Sequence, residues 1–366
     1  MILVVGGAGY IGSVLIRELL ARGYAVRVLD RMFFGNAGLR EHREQIELFA
    51  GDVRTMDPSV LEGVESVINL SGLSNDPTAE YNPHANFEMN TRANLALARL
   101  CKAKGIRRFV FASTCSIYDV GIANEEKDVV LDETSPVHPK AAYASSKFQA
   151  ERALLELADK NFCPVILRKG TVYGFSPRMR YDLVVNTFLR DAISKGHVTT
   201  HFGGEMWRPL VDIRDAARAY IVCLDAEESK ISGEIFNVVF RNFRISELAL
   251  RVVGALREVG VKVELKPEYR YQGVRSYRVS GKKVQRVLGF APAVTVEDAV
   301  KDMMENVSRY GYTDFDNPRY YNIGWMKLLE EADKIIRITG SVFDAAPAAP
   351  FKPAVVGMGG REPGSR

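Results

Sequence analysis

A short apolar run at the start of the chain ends in a glycine-rich turn, and this feature most constrains the fold. Residues Ile2 to Val5 are apolar over the length of a strand, and Gly6, Gly9 and Gly12 follow at intervals of three. Glycine permits a positive φ and puts no Cβ between the backbone and a phosphate. A helical pattern comes next, and the N-terminus of a helix offers free N–H groups to an anion. Strand, turn and helix together predict a dinucleotide site.

An aspartate at the end of the second predicted strand supports this interpretation. The apolar pattern over 24–29 ends at Asp30, about 20 residues beyond the glycines, where a dinucleotide site places an acid. A carboxylate there accepts hydrogen bonds from both ribose hydroxyls and repels a 2′-phosphate, which favours NAD over NADP. The adjacent Arg31 acts against this preference. We predict cofactor contacts at the glycines, at Tyr10 and Ile11 in the first helical turn, and at Asp30.

Strand and helix patterns alternate through the first half of the chain. Further strands are predicted over 46–49, 66–70, 108–112 and 164–167, and helices over 86–104 and 144–160. Such alternation predicts an α/β fold with a Rossmann-type, doubly wound parallel sheet. Ligands of such a sheet bind outside the carboxyl ends of its strands.

The pattern loosens beyond about Gly174. Helices are predicted over 183–194, 213–226, 245–259 and 295–310, with short strands and loops between them. We therefore predict an NAD-binding domain over 1–174 and a smaller, mainly substrate-binding domain over 175–340, with some elements returning to the first sheet. The last stretch, 341–366, is rich in Ala, Pro and Gly without periodicity, so we predict a disordered tail.

Composition excludes several classes of function. The 366 residues have a net charge of +4 with both signs interspersed, and no Lys/Arg block predicts a nucleic-acid or membrane surface. The four cysteines are widely spaced, with no Cys-x-x-Cys pair or His cluster, so no metal site is predicted. No apolar run reaches the roughly 18 residues of a membrane span, and the first strand leaves no room for a signal peptide. We expect a soluble cytoplasmic protein.

A tyrosine and a lysine on one helix form the second strong pattern. Tyr143 and Lys147 are four residues apart near the start of the predicted helix, so they project from one face. An ammonium beside a phenol favours the phenolate, which predicts a lowered pKa for Tyr143 and proton transfer near neutral pH. The preceding strand ends in the hydroxyl- and thiol-bearing residues 113–116, which would face the same cleft.

Together these motifs resemble the extended short-chain dehydrogenases/reductases, and more closely their nucleotide-sugar epimerase/dehydratase branch. The resemblance covers roughly residues 1–310. It implies a tightly held NAD, a small C-terminal substrate domain and a nucleotide-diphosphate-sugar substrate. It also implies a frequent homodimer, here formed through the helices predicted over 86–104 and 144–160.

The resemblance assigns roles to individual residues. It places the catalytic hydroxyl on Thr114, makes Tyr143 the catalytic base, and makes Lys147 its partner and a ligand of the nicotinamide ribose. It implies further cofactor contacts at Asp52 and Val53 near the adenine, and at Leu70, Ser71 and Gly72 beside the pyrophosphate and ribose.

On the substrate side, two arginines match family segments. Arg208 resembles the arginine that contacts the substrate nucleotide, and Arg275 resembles one that holds the diphosphate, although Val274 replaces the usual Asp before it. Arginine suits this task because its fork of donors matches phosphate oxygens. For Arg178 and Arg180, a structural salt bridge is an equal alternative to a sugar contact. The other substrate-binding candidates are Ser116 and Asn186.

The two residues after Thr114 bear on the reaction. The resembled 4,6-dehydratases have an Asp-Glu pair there and the UDP-glucuronate decarboxylases a Glu at the second position, whereas this chain has Cys115 and Ser116. Redox at C4 needs only Tyr143, Thr114, Lys147 and NAD, which favours C4 epimerisation through a transient 4-keto sugar. A 4-ketoreductase remains open, as does a 3,5-epimerase with a catalytic cysteine, although that cysteine aligns with Ser116 and a buried filler is the simpler role for Cys115. A catalytically silent dinucleotide sensor is the alternative from another class.

Overall fold

The computed structural model describes residues 1–119, 129–269 and 276–340. Two predictions lie outside these residues: the disordered tail over 341–366 and the diphosphate contact of Arg275. One compact unit spans Met1–Trp325, and all of the sheets belong to it. The second unit, Met326–Arg366, contains in its described part the remainder of the last helix.

The described strands and helices are these. The strands are β1 (Ile2–Val5), β2 (Val26–Asp30), β3 (Ile46–Ala50), β4 (Ser66–Asn69), β5 (Arg108–Thr114), β6 (Val130–Leu131), β7 (Cys163–Lys169), β8 (Thr171–Tyr173), β9 (His197–His201), β10 (Trp207–Asp212), β11 (Glu234–Val238), β12 (Arg241–Arg244), β13 (Glu264–Glu268) and β14 (Arg278–Val279). The helices are α1 (Tyr10–Ala21), α2 (Asp76–Tyr81), α3 (Pro83–Phe87), α4 (Ala93–Ala103), α5 (Ala142–Leu155), α6 (Val184–Lys195), α7 (Ile213–Asp225), α8 (Glu228–Ile231), α9 (Ile245–Glu258), α10 (Lys282–Leu288), α11 (Val296–Arg309) and α12 (Asn322–Thr339). None of the helices in the described ranges combines the length and hydropathy that a membrane crossing requires.

The central sheet has seven parallel strands in the order β11-β7-β5-β4-β1-β2-β3. The strand order reverses at β1, which pairs with β2 on one side and with β4 on the other. In such a sheet the ligand crevice lies outside the carboxyl ends of the strands at this reversal. The predicted Rossmann-type, doubly wound α/β fold is confirmed.

Both faces of the sheet are buried, as the unbroken apolar run of β1 requires. Leu3 and Val5 pack in a cluster that includes residues of α4 and α5. Ile2 and Val4 belong to a second cluster on the other face, which includes residues of α1 and α7. Helices therefore cover both faces, and the carboxyl edge of the sheet is where polar side chains gather.

The segment predicted as a single helix over 86–104 is interrupted. The end of α3 is joined to α4 by a π-helical turn over Glu88–Arg92. Asn94 Nδ2 supports this turn by donating to the carbonyl oxygens of Met89 (3.0 Å) and Asn90 (2.7 Å). Single π turns within α-helices are frequent at functional sites, and this one lies directly beside the turn after β4.

The second half of the chain adds three small sheets and its own apolar cluster. The sheets have the orders β12-β10-β8, β13-β9 and β14-β6. The cluster joins α6, α9 and α11 through residues such as Leu189, Val252 and Val300. Strand β11 belongs to the central sheet, and α7 packs against α1. The division into two domains near residue 174 stays a proposal, which this separate cluster supports.

Candidate active site

A cavity of about 670 Å³ lies at the carboxyl ends of the central strands, and its lining residues are here called the cavity wall. Nearly all described residues predicted for the site belong to this wall. For the cofactor they are Gly6, Gly9, Tyr10, Ile11, Gly12, Asp30, Asp52, Val53, Leu70, Ser71 and Gly72. For catalysis and substrate they are Thr114, Ser116, Tyr143, Lys147, Arg180 and Arg208. The fold thus brings residues from distant parts of the sequence to one site, while their individual roles stay predictions.

The glycine turn after β1 forms a cradle that has no room for side chains. A Cβ on Gly6 (φ 81°) would lie 3.0 Å from the backbone nitrogen of Ser71, and one on Gly12 would lie 2.5 Å from two backbone carbonyl oxygens of the turn. Helix α1 begins at Tyr10, and its N-cap Gly9 provides no side-chain cap. The first N–H groups of α1 are therefore available to an anion. The turn fits the diphosphate of a dinucleotide.

Asp30 ends β2 and is held by backbone donors from both sides. Its two carboxylate oxygens accept hydrogen bonds from the N–H groups of Ala8 (3.0 Å) and Met32 (2.7 Å). Burial raises the pKa of Asp30, and these two backbone hydrogen bonds oppose the rise. Each oxygen has a second lone pair, so the carboxylate can still accept ribose hydroxyls.

Arg31, which opposes the NAD preference in the sequence, has a partner in the structure. Its Nη1 lies 3.1 Å from Asp52 Oδ2, and its guanidinium stacks 4.1 Å from the centre of the Phe33 ring. Burial favours the neutral form of Asp52, but hydrogen bonds from Arg54 and the charge of Arg31 outweigh it and lower the pKa of Asp52. Because Arg31 is paired in this way, it opposes the predicted preference of Asp30 for NAD less than the sequence suggested.

The three predicted catalytic side chains meet at the floor of the cavity. Thr114 ends β5 and caps a short 3-10 turn, with its Oγ1 accepting a hydrogen bond from Ser116 N (3.1 Å) and donating to Ser116 Oγ (2.9 Å). The Thr114 side chain also lies near enough to the phenol of Tyr143 to lower its pKa. Lys147, one turn after Tyr143 on α5, donates from Nζ to the carbonyl oxygen of Ala112 (3.1 Å). A hydroxyl, a phenol and an ammonium thus share one wall.

The predicted lowering of the Tyr143 pKa is wrong for the protein's own groups. Burial raises the pKa of Tyr143 to about 12, and the nearby charge of Asp76 adds to this. The charge of Arg180 and the nearby Thr114 side chain act in the opposite direction. The cation that lowers the pKa of the phenol is therefore Arg180, and not Lys147 as the sequence pattern predicted.

A buried ion pair behind the cavity fixes α5 against the strand ends. Glu151, two turns after Tyr143, accepts three hydrogen bonds from Arg168 of β7, at 2.6, 3.1 and 3.1 Å. It also accepts the hydroxyl of Ser113 in β5. Both charged side chains are nearly inaccessible, with 3% of Arg168 and 1% of Glu151 exposed. Separating the pair would leave a lone buried charge, which is strongly destabilising. The pair therefore holds α5, the helix of Tyr143, in place against β5 and β7.

Cys115 is turned away from the cavity. Its side chain is 1% exposed and its thiol donates to the carbonyl oxygen of Arg168 at 3.2 Å. Burial raises the pKa of the thiol well above its ordinary value. A buried thiol with a raised pKa is unreactive, so the structure supports a packing role for Cys115.

We expect Cys115→Ala to leave turnover of a nucleotide sugar within about twofold of wild type, because only a neutral packing group is lost. The free energy of unfolding should fall by about 1–2 kcal/mol through a small cavity and a lost weak hydrogen bond. Steady-state kinetics and denaturant unfolding measure the two effects. Cys101→Ala, a buried cysteine of α4 outside the wall, is the matched control. A large loss of turnover confined to the Cys115 variant would show that the thiol takes part in the chemistry.

Arg180 and Arg208, two of the arginines predicted to bind the substrate, belong to the cavity wall, but each already has a protein partner. Arg180 donates to both carboxylate oxygens of Asp182, at 2.8 and 2.9 Å, so the salt-bridge alternative left open by the sequence is present. Arg208 donates to the carbonyl oxygen of Trp207 (2.8 Å) and its guanidinium lies 5.8 Å from the centre of the Tyr277 ring. Both remain candidates for holding phosphate because their guanidinium groups have further donors.

Asn186 is not where the predicted substrate contact would need it. It is fully buried in α6 and lies outside the cavity wall. Its Nδ2 donates to the Tyr10 hydroxyl (3.1 Å) and to the carbonyl oxygen of Arg180 (2.8 Å), and its Oδ1 accepts the N–H of Gly174 (3.0 Å). Asn186 instead links two wall residues, Tyr10 and Arg180, to Gly174, which lies outside the wall.

Several wall residues could not be predicted from the sequence because each stands alone in its segment. They are Ser74, Asp76, Lys169, Tyr277 and Asn322. Arg178, for which the sequence left a salt bridge and a sugar contact open, also lies in the wall. Arg178 stacks 3.7 Å from the centre of the Phe34 ring and donates to Asn322 Oδ1 at 2.6 Å. Of the residues not predicted, Lys169 had a sequence signal, since the apolar run of β7 ends in two charged residues, Arg168 and Lys169. Within the described ranges no group of His, Cys, Asp or Glu is arranged to hold a metal ion.

The fold and the site together define a class of protein. A dinucleotide-binding sheet whose cleft holds a threonine, a tyrosine and a lysine is typical of the extended short-chain dehydrogenases/reductases. The model of the NAD-dependent epimerase/dehydratase family matches residues 2–238, and the chain belongs to this family. Its cofactor is accordingly NAD.

Relatives within the family carry out different reactions. The chain is 26% identical over 307 residues to UDP-glucuronic acid decarboxylase 1 of Xenopus tropicalis, and the aligned region covers 82% of this chain and 70% of that protein. It is 28% identical over 326 residues to a UDP-glucose 4-epimerase of Corynebacterium glutamicum, covering 81% and 94%. The solved UDP-glucose 4-epimerase of Thermotoga maritima with UDP-glucose has the same fold, with a TM-score of 0.73, 24% identity and coverage of 84% and 98%. These likenesses do not distinguish between the reactions of the family.

Proposed function

We propose that the protein is an NAD-dependent nucleotide-sugar 4-epimerase that acts through a transient 4-keto sugar. The observation that carries the proposal is the meeting of Thr114, Tyr143 and Lys147 at the cavity floor. The two positions after Thr114 hold a buried thiol, Cys115, and a hydroxyl, Ser116. Redox at C4 moves a proton only at oxygen, so these groups suffice for it.

The residues of the wall fit NAD. The glycine cradle and the start of α1 would hold the diphosphate, Asp30 the adenosine ribose, and Lys147 the nicotinamide ribose. When bound, NAD supplies the hydride acceptor and, in its oxidised form, a positive ring charge that favours the phenolate of Tyr143. The raised pKa of Tyr143 makes this charge important, because burial alone holds the proton on the phenol.

The protein's own groups would divide the work at C4. Tyr143 removes the proton of the 4-hydroxyl and later returns it to the same oxygen, since the reaction is symmetrical in its two halves. Thr114 contributes a second hydrogen bond at this position, and its orientation is fixed by Ser116. Arg208 offers donors for the substrate nucleotide, and Arg180, whose charge acts on Tyr143, offers donors for the sugar. The nucleotide contact would anchor the substrate while the keto sugar turns.

One observation favours a second candidate, a 3,5-epimerase that exchanges protons at carbon. Asp76, the first residue of α2, lines the wall, and its charge raises the pKa of Tyr143. A carboxylate therefore lies near the proposed base, where it could serve a carbon acid next to a 4-keto group. The 4-ketoreductase also remains an alternative, although the paired Arg31 and the acid Asp30 weigh against NADPH.

Incubation with UDP-, dTDP-, GDP- and CDP-sugars in deuterated water tests the proposal. We expect one nucleotide sugar to be converted to its C4 epimer without added cofactor and without deuterium at carbon, as read by NMR and mass spectrometry. Deuterium at C3 or C5 would instead support the second candidate, and Asp76→Asn should then abolish the exchange. Stoichiometric consumption of NADPH with a 4-keto sugar would support the reductase.

We also propose a homodimer formed through α4 and α5. These helices pack against each other and expose Arg99, Gln149 and Arg152. The family resemblance is the argument for this assembly, and the proposed cytoplasmic location has the same basis together with the reduced, buried cysteines.

A further inference from the structure

A second lysine reaches the cavity wall beside the predicted catalytic one. Lys147 donates to the carbonyl oxygen of Ala112 at 3.1 Å. Lys169, the last residue of β7, donates to the next carbonyl along β5, that of Ser113, at 2.9 Å. Both lysines belong to the wall, and they are only 4% and 7% exposed. Two ammonium groups are thus bound to consecutive carbonyls at the cavity floor.

The two lysines approach β5 from opposite faces of the sheet. The ammonium of Lys147 lies 4.7 Å from the centre of the Phe111 ring, on the side of α5. That of Lys169 lies 5.4 Å from the centre of the Tyr220 ring, which belongs to α7. Lys169 is also the partner of Thr114 in the parallel ladder between β5 and β7. It therefore lies beside Thr114, the residue of the predicted catalytic hydroxyl, in the adjacent strand of the sheet.

Neither lysine forms an ion pair with a carboxylate in the part of the chain that the structure describes. Glu151 is the carboxylate whose charge acts on both, but Arg168 and Ser113 already occupy it. Burying a charge without a counter-charge is unfavourable. Burial accordingly lowers the pKa of Lys147 to about 8, and burial together with the charge of Lys147 lowers that of Lys169 to about 7.

We propose that protonated Lys169 favours the reduced over the oxidised nicotinamide in the bound cofactor. The inference rests on the proposed function, which puts the hydride acceptor against the sugar carbon served by Tyr143 and Thr114. The oxidised ring carries a positive charge and the reduced ring does not. A neighbouring ammonium therefore raises the free energy of the oxidised form only. Lys169 would thereby help the first hydride transfer, in which the sugar is oxidised and the ring reduced.

The preference depends on pH with a definite sign. It is present below about pH 7, where Lys169 is charged, and it is lost as the pH rises through the pKa of Lys169 and the amine becomes neutral. The groups that face Lys169 are Lys147 and Glu151 from α5, Cys115 from the turn after β5, and Tyr220 from α7. Burial raises the pKa values of Cys115 and Tyr220, so both stay neutral in this range. Because the pKa of Lys147 is close to that of Lys169, the influence of Lys169 is measured by comparing variants at the same pH.

The test is a redox titration of the purified protein with its bound NAD. A reducing system is added with a dye of known potential, and absorbance of the reduced ring gives the NADH:NAD ratio. At pH 6, Lys169→Met should lower this ratio about tenfold at a given solution potential, the order expected for one nearby charge. At pH 9, the variant and wild type should agree. Lys169→Arg keeps its charge, so its NADH:NAD ratio should be higher than that of Lys169→Met at both pH values.

Equal ratios for wild type and Lys169→Met at pH 6 overturn the inference, even where epimerisation proceeds. Circular dichroism checks the fold of each variant, and Lys169→Gln, which keeps a donor for the Ser113 carbonyl, replaces the Met variant if that one does not fold. A wild-type protein that binds no NAD would overturn the proposed function and this inference together. A protein that binds NAD and epimerises, with a ratio indifferent to residue 169, overturns this inference alone.

Discussion

Replacing Tyr143 by phenylalanine should lower turnover by about a thousandfold, within the range expected for loss of a general acid–base group. The phenol is the group in the floor of the cavity that can exchange a proton with the sugar, since Thr114 is already fixed by Ser116 and Lys147 donates to Ala112. NAD should remain bound, because the glycine cradle and Asp30 are untouched. Turnover is measured on the cognate nucleotide sugar, and NAD content by absorbance after denaturation.

Tyr220→Phe provides the matched control. Tyr220 is fully buried, whereas Tyr143 is half-buried. Tyr220 lies outside the wall, and its hydroxyl has no hydrogen-bond partner among the described residues. Removing an unsatisfied hydroxyl should leave turnover unchanged and the free energy of unfolding equal or higher. If Tyr143→Phe kept more than about a tenth of wild-type turnover, the phenol would not be the acid–base group of this reaction.

The parts of the site that could be predicted are those whose chemistry is local in sequence. The glycine turn, the acid at Asp30 and the pair Tyr143/Lys147 each express a constraint that acts within one strand-turn-helix unit or one helical turn. Parallel strands between helices then bring such units to one edge of the sheet. For this reason every residue predicted to contact the cofactor lies in the wall, while the contacts themselves stay predictions.

The rest of the site depends on contacts between residues that are distant in the sequence. Asn322 donates to Ser74 across 248 positions, at 2.7 Å, and no local pattern indicates that pairing. The ion pair of Glu151 with Arg168 could not be predicted either, because the sequence around each charged residue does not indicate which residue it pairs with. Asn186 was placed on the correct helix, but only packing determines that its amide points inward.

Electrostatics was the least predictable property. The sequence shows that Lys147 is one turn from Tyr143, which suggested a lowered pKa for the phenol. It does not show the burial of the phenol or the presence of Asp76 from α2, and these outweigh the favourable charge of Arg180. Lys169 illustrates the same limit, because a lysine at a strand end is ordinary until the cavity around it is known.

Gly12→Ala should abolish NAD binding and lower the free energy of unfolding by about 3 kcal/mol, the upper part of the range for overpacking. A Cβ there would lie 2.5 Å from the carbonyl oxygens of both Gly6 and Gly7, and 2.6 Å from Gly7 Cα. These are backbone atoms that cannot rotate away, so α1 would have to move off the turn. That movement would separate the free N–H groups of α1 from the cradle that they complete. Thermal or denaturant unfolding and the NAD content of the purified variant measure both effects.

A second glycine in a helix separates this steric effect from helix propensity. Gly254 lies within α9, and a Cβ on it would meet no atom within 4 Å. Gly254→Ala should therefore raise the free energy of unfolding by about 0.5–1 kcal/mol, because alanine is the better helix former, and NAD content should not change. If Gly12→Ala behaved like Gly254→Ala and kept its NAD, the turn and α1 would be further apart than the structure has them. NAD binding would then not depend on the close approach of α1 to the glycine turn.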